Sequence, residues 1–494
     1  MMQSAFDTLV AYQRQTETLG SISGLLSWDM ETKMAQGSAA KRGEQLAVLS
    51  GLIHDRNAAS QLRDLISAAR ENPQDVTTLR HIALIEREAD KASRVPKDLV
   101  TEFAHARIRS NQAWGEARKN DAPNIFIPEL KNIVRLTREF ASALREPSDK
   151  TLYDVCLRDY EPDTDSASID VMFEKLRPRL VDLRAAVMAA PDAPRLSGHF
   201  DIAVQERLVI DLAERFGYDL NRGRIDVAIH PFCEGGGSDV RVTTRYDEKD
   251  PLNSIYSIIH EVGHASYEQN ISKTHELTVF GHGCSMGIHE SQSRICENQL
   301  GRSREFTSWL YGRMRDAFGD IGVASEDAFF RAVNGLQNGY IRTEADEVQY
   351  NLHVLLRYDL EKALIGGDLA VEDLEAAWND RFEADFGVKV DKPSNGFLQD
   401  IHWCEALIGY FPTYSLGNVY AGCLYSALCH DVPIVMEQVA QGDLSSTTEW
   451  LRENIHQFGA SVPSVDLITK ACGQAPSEAP LLDYLDNKFR ALID

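Results

Sequence analysis

The sequence predicts a large, mainly α-helical fold with a small β element beside it. Three observations carry this reading. Apolar residues recur at helical spacing along most of the chain, strict alternation is confined to one short stretch, and the breaks between periodic segments are brief.

Residues 77–92 place Leu79, Ile82, Ala83 and Ile85 on one stripe, with charges elsewhere. Residues 129–144 repeat the habit with Leu130, Ile133, Val134 and Leu136. The same spacing predicts helices over 168–190, 203–216, 345–364 and 370–382. Breaks such as Gly366-Gly367-Asp368 and Arg94-Val95-Pro96 are short. No long Gly/Ser/Pro linker, low-complexity tract or clear repeat interrupts the chain. Residues 1–494 therefore read as one domain, although a prior of roughly 150 residues per domain would allow three. The charged helices of approximately residues 1–110 fit an N-terminal lid subdomain, with no boundary marked in the sequence.

The exception to the helical habit is 239–246, DVRVTTRY. Val240, Val242 and Thr244 alternate with Arg241, Thr243 and Arg245, which predicts a strand. A glycine run, Gly235 to Gly237, precedes it. Asp250 and Pro251 then supply an N-cap and a proline at the first helical position, so a helix should run from there to about Gln269.

Composition narrows the function. With 51 basic and 75 acidic side chains the net charge is −24. Such a surface repels phosphate backbones and anionic membranes, so neither nucleic acid nor a membrane is expected as partner. An anionic ligand would have to be met by arginine held inside a cleft. The eight cysteines form no CxxC pair, which excludes a zinc ribbon and a thioredoxin-like motif and predicts reduced, mostly buried thiols. No signal peptide and no apolar run of about 18 residues is evident, so a soluble, cytoplasmic protein is expected.

The helix that starts at Pro251 carries SIIHEVGHASY (Ser257 to Tyr267). His260 and His264 are four residues apart, so both imidazoles leave one face of the helix and reach one ion. Glu261, about 100° further round, can stand beside that ion and take a proton from its water. This is the logic of an H-E-x-x-H zinc hydrolase. A third ligand is needed. Tyr267 and Asn270 occupy the positions where a metzincin needs Gly and His, so that class is excluded. Glu268 would have to bend back along its own helix and reads as an exposed charge. Glu290, in MGIHESQSR (Met286 to Arg294), is the preferred candidate, one turn and an antiparallel helix away. His289 and Glu297 are rivals.

Three further stretches concentrate polar groups: IRTEADE (Ile341 to Glu347), which opens a helix, GFLQDIHW (Gly396 to Trp403) and GYFPTYSLG (Gly409 to Gly417). Singly, each also suits a capping pair, a buried histidine or a packed tyrosine.

Together these stretches resemble the carboxypeptidase Taq family of thermostable metallocarboxypeptidases. The likeness covers nearly the whole chain. It runs from LSWD (Leu26 to Asp29) and RGEQL (Arg42 to Leu46) through HPF (His230 to Phe232), DVRVT (Asp239 to Thr243) and HEVGH. It continues through HESQ (His289 to Gln292), IRTEAD and GFLQDIHW. Departures are modest: Met34 to Gly37 lacks a double proline, Ile295 and Cys296 replace a bulkier pair, and Cys233 to Ser238 is unusually glycine-rich, which bears on substrate preference.

The resemblance implies a helical fold with a deep groove, as in neurolysin and angiotensin-converting enzyme, and a homodimer. It implies release of single residues from peptide C-termini with broad specificity, using zinc, with cobalt effective in some members. His260, His264 and Glu290 would be the ligands and Glu261 the general base. Arg342 would meet the substrate carboxylate. His230 and Arg241 are further candidate substrate-binding residues, and for the carboxylate clamp itself Arg241, Arg245 and Arg294 are weaker candidates than Arg342. His402 and Tyr410 would assist the reaction, with Tyr414 as rival tyrosine. The strand 239–246 would offer an edge to the peptide backbone. An endo-acting oligopeptidase on the same fold and a non-catalytic helical binding protein are the competing readings. Products from C-terminally amidated peptides separate the first, and a metal assay the second.

Overall fold

A computed structural model describes residues 4–71, 75–189, 191–336 and 339–493. Among these, twenty α-helices and one three-stranded sheet make up the regular structure, a mainly α fold as the periodicity predicts. The chain divides into two compact, discontinuous units. One comprises Met1–Ser93, Pro194–Val333 and Cys423–Pro476; the other comprises Arg94–Ala193, Asn334–Gly422 and Ser477–Asp494. No helix among the described residues is long and apolar enough to cross a membrane. All eight cysteines are free; four are buried and four half-buried.

The second unit is helical. Pro123–Leu144 buries Leu130, Ile133, Val134 and Leu136, the predicted stripe. Ser166–Met188 packs on Glu347–Gly366, whose flanks are buried almost all round. That long helix begins later than its polar opening suggests. Arg342–Glu344 forms a separate 3-10 turn, and Asp346 caps the helix by accepting from the backbone N–H groups of Val348 and Gln349. Gly367, at φ 95°, ends it in the left-handed conformation.

The first unit holds the sheet. β1 (Gly223–Val227) pairs parallel with β3 (Asp239–Thr244), and β2 (Cys233–Gly236) pairs antiparallel with β3. The order β1-β3-β2 corrects two expectations. The predicted strand is the central one, so β3 has no open edge, and the edge without a strand partner on the hairpin side belongs to β2. Gly235 and Gly236 of the glycine run belong to that edge strand, and Gly237 lies in the turn after it. Gly235, at φ 103°, would carry a Cβ 2.1 Å from the Asp239 carbonyl oxygen, so only glycine fits the hairpin there. β2 is legible only through pairing, because CEGG has almost no β propensity of its own.

Helices pack against this sheet. Ala5–Thr32 lies along it, with Trp28 under the guanidinium groups of Arg224 and Arg241 at 5.2 and 4.6 Å. Arg42, from Ala39–Ala58, binds Asp29 Oδ2 at 2.7 Å and the Leu26 carbonyl at 2.6 Å, which joins the first two sequence motifs. The helix Pro251–Asn270 also packs on β2 and β3. It starts at Pro251 as predicted, but the Asp250 side chain makes no capping hydrogen bond; proline, which lacks an N–H, already removes one orphan donor.

Pro251–Asn270 and Met286–Arg294 approach unusually closely. A Cβ on Gly263 would lie 2.4 Å from Ser293 Cα and 2.5 Å from the Gln292 carbonyl oxygen. Both are backbone atoms that cannot swing aside. Gly263→Ala should therefore destabilise the protein by about 1–3 kcal/mol through overpacking. Gly312→Ala, where a Cβ meets nothing within 4 Å on the helix Arg304–Phe318, should instead raise stability by about 0.5–1 kcal/mol. Paired thermal melts check the contrast; equal midpoints for the two variants would show that the helices can separate freely.

Candidate metal centre

The close crossing at Gly263 brings three donors together. Nitrogen atoms of His260 and His264 and a carboxylate oxygen of Glu290 all lie within 4.8 Å of one another. Glu290 Oε2 is 4.0 Å from His260 Nε2 and 3.6 Å from His264 Nε2. Both histidines present Nε2 to the carboxylate because their Nδ1 atoms are engaged elsewhere.

His260 Nδ1 is 2.9 Å from Glu297 Oε2. Glu297 is in turn held by Arg302 at 3.0 Å and Arg294 at 3.3 Å. Burial acts to raise its pKa, but His260, Arg302 and Arg294 outweigh that and hold it well below the usual carboxylate range. Burial likewise acts to lower the pKa of His260, yet the bond to Glu297 and the charge of Glu290 raise it. His264 Nδ1 is 2.6 Å from His289 Nδ1, and His289 Nε2 is 2.9 Å from Glu268 Oε1. Burial, then the neighbouring His289 and His260, drive the pKa of His264 down, so its imidazole is neutral and suited to a metal. One proton arrangement satisfies the chain: His264 donates to His289, and His289 donates to Glu268.

The rivals for third ligand thus fall behind the imidazoles. His289 and Glu297 touch Nδ1 atoms, where they fix tautomer and ring orientation. Glu268, expected as an exposed charge, is buried and anchors His289. A π-helical segment, Ile295–Leu300, follows directly on Met286–Arg294 and carries Glu297. It lets one continuous stretch send Glu290 to one side of His260 and Glu297 to the other. Period-3.6 reasoning gives no signal for such a segment.

Glu261 is 7% exposed and makes no ion pair among the described residues. Burial first, with help from Glu290 and Glu297, pushes its carboxyl up to about 7. A bound cation would oppose that shift.

The remaining predicted residues fall in several places. Arg241 binds Asp239 through Nε and Nη2, both at 2.8 Å, over Trp28. Arg245 bonds Asn253 at 2.7 Å, and Arg294 bonds Glu290 Oε1 at 2.6 Å. His230 is exposed between β1 and β2.

In the second unit, Arg342, His402, Tyr410 and Tyr414 cluster. Arg342 is buried, with Nε and Nη2 on Asp400 Oδ1 at 3.0 and 2.9 Å and Nη1 on the Tyr350 hydroxyl at 3.0 Å. Its partner is therefore Asp400, not the nearby Glu344 or Asp346. Asp400 is shared with Arg357, whose Nε is 2.6 Å from Oδ2. Although burial opposes it, Arg357 and Arg342 hold Asp400 far below its usual range. The three groups together carry one positive charge. The Arg342 guanidinium lies 5.0 Å over the Tyr414 ring. His402 Nε2 is 3.2 Å from the Tyr414 hydroxyl, and the His402 and Tyr410 rings are 5.6 Å apart. Burial and Arg342 push the pKa of His402 down to about 3, so it is neutral. Asp400, Arg357 and Tyr350 were not singled out from sequence; Asp400 stood inside a quoted motif, but only pairing reveals its role.

Converging imidazoles and a carboxylate, with a second carboxylate alongside on a helical scaffold, are the equipment of a metal-dependent hydrolase. The chain belongs to the family described as Carboxypeptidase Taq (M32) metallopeptidase, which it matches over residues 8–489. It is 35% identical over 505 residues to thermostable carboxypeptidase 1 of Thermus thermophilus, covering 99% of both chains. It is 32% identical over 497 residues to carboxypeptidase 1 of Bacillus subtilis, covering 99% of this chain and 97% of that one. Among solved structures, the M32 carboxypeptidase of Deinococcus radiodurans superposes with a TM-score of 0.95 at 35% identity, covering 99% of each chain. Metallocarboxypeptidase 1 of Trypanosoma cruzi gives 0.95 at 29% identity, covering 98% of this chain and 99% of that one. The protein is thus a metallocarboxypeptidase, and its family implies a divalent metal.

The geometry distinguishes the carboxylate that faces the two Nε2 atoms from the groups that touch Nδ1. Glu290→Ala should abolish stable metal binding, because two imidazoles alone hold a metal weakly. Glu297→Ala should weaken affinity only about 10–100-fold, the usual effect of losing an outer partner. Elemental analysis after dialysis against a graded chelator measures both; full occupancy in Glu290→Ala with loss in Glu297→Ala would reverse the assignment.

Proposed function

We propose that this metallocarboxypeptidase releases single amino acids from peptide C-termini with broad specificity, through a metal held by His260, His264 and Glu290. The observation that carries the reading is the convergence of those three donors within 4.8 Å, with buried Glu261 next to His260 in the chain. Two imidazoles and one carboxylate are the donor set of a catalytic zinc site with an open position, so zinc is the metal we assign. Cobalt suits the same nitrogen and oxygen donors.

When bound, the metal activates a water molecule and polarises the scissile carbonyl. The chain's own residues do the rest. Glu261 takes the proton of the attacking water and hands one to the leaving amine. The Tyr410 hydroxyl stabilises the developing oxyanion, with His402 assisting as a neutral hydrogen-bonding group and Tyr414 as the alternative hydroxyl. Arg342 receives the substrate carboxylate. Asp400 and Tyr350 engage three of its five N–H donors, which leaves one on each terminal nitrogen for a carboxylate. Arg357 and Asp400 hold that guanidinium in place, and the net positive charge of the trio suits an anionic C-terminus. The eight free thiols fit a cytoplasmic setting, and the family likeness supports a homodimer.

Two substitutions test this. Glu261→Gln should retain the metal but lose kcat on the order of 10²–10⁴-fold, since every ligand remains and the base is gone. Activity within about tenfold of wild type, at full metal content, would remove Glu261 from the proton transfer. Arg342→Ala should cost about 2–5 kcal/mol in kcat/KM on free-acid peptides, the range for breaking a buried charge pair. It should cost little on the same peptides amidated, and Arg342→Lys should recover only part of the loss. An equal loss on both substrates, with a lowered thermal midpoint, would make Arg342 structural.

A further inference from the structure

A cavity of about 560 Å³ opens beside β2, between the helix Ala5–Thr32 and the segment after the metal-binding helix. Leu25, Trp28, Ile271 and Leu277 give it apolar walls, and Glu234, Gly235 and Gly236 of β2 form one side. All of these residues belong to the unit that carries the metal centre.

β2 runs alongside the metal helix. Its head is the half-buried Cys233. At its foot, the position of a Gly236 Cβ is 3.3 Å from Glu268 Oε2, two helical turns beyond Glu261. Seven residues of helix at about 1.5 Å each separate Glu268 from Glu261, so the foot of the strand lies roughly 10 Å along the helix from the proton-transfer carboxylate. A carboxypeptidase leaves only one residue downstream of the scissile bond. Whatever reaches this cavity along the strand must therefore come from upstream, about two to four residues before the bond.

The charges of the cavity are mostly neutralised within it. Arg241 is taken by Asp239, Arg222 by Asp219 and the Gln269 carbonyl, and His282 by Glu17. Glu276 accepts from Ser238, and Lys273 stands exposed at the rim. Glu234 is different: it forms no ion pair among the described residues and lies against the helix, where a Gly24 Cβ would be 2.4 Å from its Oε1. Burial and then Glu268 raise its pKa, the mark of a carboxylate without a cation. Behind the strand, Glu268 is 6% exposed and its Oε2 has no hydrogen-bond partner. That oxygen is aimed at the Gly236 backbone that walls the cavity.

We infer that this cavity is an upstream specificity subsite in which Glu234 selects a positively charged group of the peptide, with the peptide backbone paired to the outer edge of β2. The cation is an ammonium or guanidinium, carried by a lysine or arginine side chain or by the free amino terminus of a short peptide. The apolar walls take the alkyl stem while Glu234 meets the charged head. The unpaired edge of β2 supplies main-chain affinity, and the pocket supplies selection. This inference rests on the carboxypeptidase reading and adds a substrate preference to it.

The test is a set of peptides with one invariant C-terminal residue. Lysine, norleucine or glutamate is placed in turn at the first to fourth upstream positions, each peptide N-acetylated or free, and kcat/KM is read for the metal-loaded enzyme. Lysine should be preferred over norleucine by about tenfold or more at one of the second to fourth positions, as expected for an ion pair worth about 1.4 kcal/mol. Preference surviving acetylation assigns the side chain as the source; preference confined to free peptides assigns the amino terminus. Glu234→Gln should bring the lysine-to-norleucine ratio towards one, and Glu234→Lys should turn the preference to glutamate. Release without any charge preference, or an unchanged ratio in both variants, overturns the inference and leaves the carboxypeptidase reading intact. No release from any peptide overturns that reading and the inference with it.

Discussion

The candidate metal centre depends on one close approach, the crossing of Pro251–Asn270 and Met286–Arg294 at Gly263. Helix axes ordinarily stand 8–10 Å apart, at a distance set by the side chains between them. With no side chain at Gly263, the backbone of one helix rests on Gln292 and Ser293 of the other. Glu290, one turn earlier, is thereby set against His260 and His264 on the neighbouring turns. The H-E-x-x-H spacing alone puts the imidazoles on one face. Gly263, directly before the second histidine of that motif, lets the Glu290 carboxylate reach them, so its place there is a packing requirement.

Around this crossing the histidines are held from behind by differently constituted chains. His260 leans on an ionised Glu297 that two arginines hold, whereas His264 leans on His289 and, through it, on Glu268. The first support strengthens positive character on its imidazole, and the second keeps its imidazole neutral. Both leave Nε2 towards Glu290. Such outer partners fix ring orientation before any ion arrives, which reduces the ordering cost of binding.

Much of this was legible in the sequence, for stated reasons. The long helices were, because their apolar stripes are wide and their breaks carry glycine or proline. His260, Glu261 and His264 were, because a fixed four-residue spacing on a helix is a local property. Glu290 was placed among rivals, and its separation from His289 and Glu297 needed three dimensions: all three are near in sequence, and only ring orientation tells which touches Nε2. The edge strand β2 was missed because backbone pairing, rather than side-chain propensity, makes CEGG a strand. Asp400 was missed as the partner of Arg342 because 58 residues separate them. Asp346, much nearer in sequence, caps the following helix instead.

Net charge and local charge oppose each other in this protein, and burial decides where each prevails. A surface of −24 gives a long-range field that disfavours an incoming carboxylate, but that field is screened over about 8 Å at physiological salt. Arg342 is 5% exposed and Arg357 fully buried, so their charges are screened far less. Two buried guanidinium groups alone would be costly, and one shared Asp400 offsets much of that cost while leaving a surplus of one positive charge. A second aspartate would cancel the surplus, and no aspartate would leave two unpaired cations in a low-dielectric interior. In the other unit Glu234 carries the opposite surplus beside β2. Charge is thus left unbalanced at a few sheltered positions, while the many exposed acids set the background field around them.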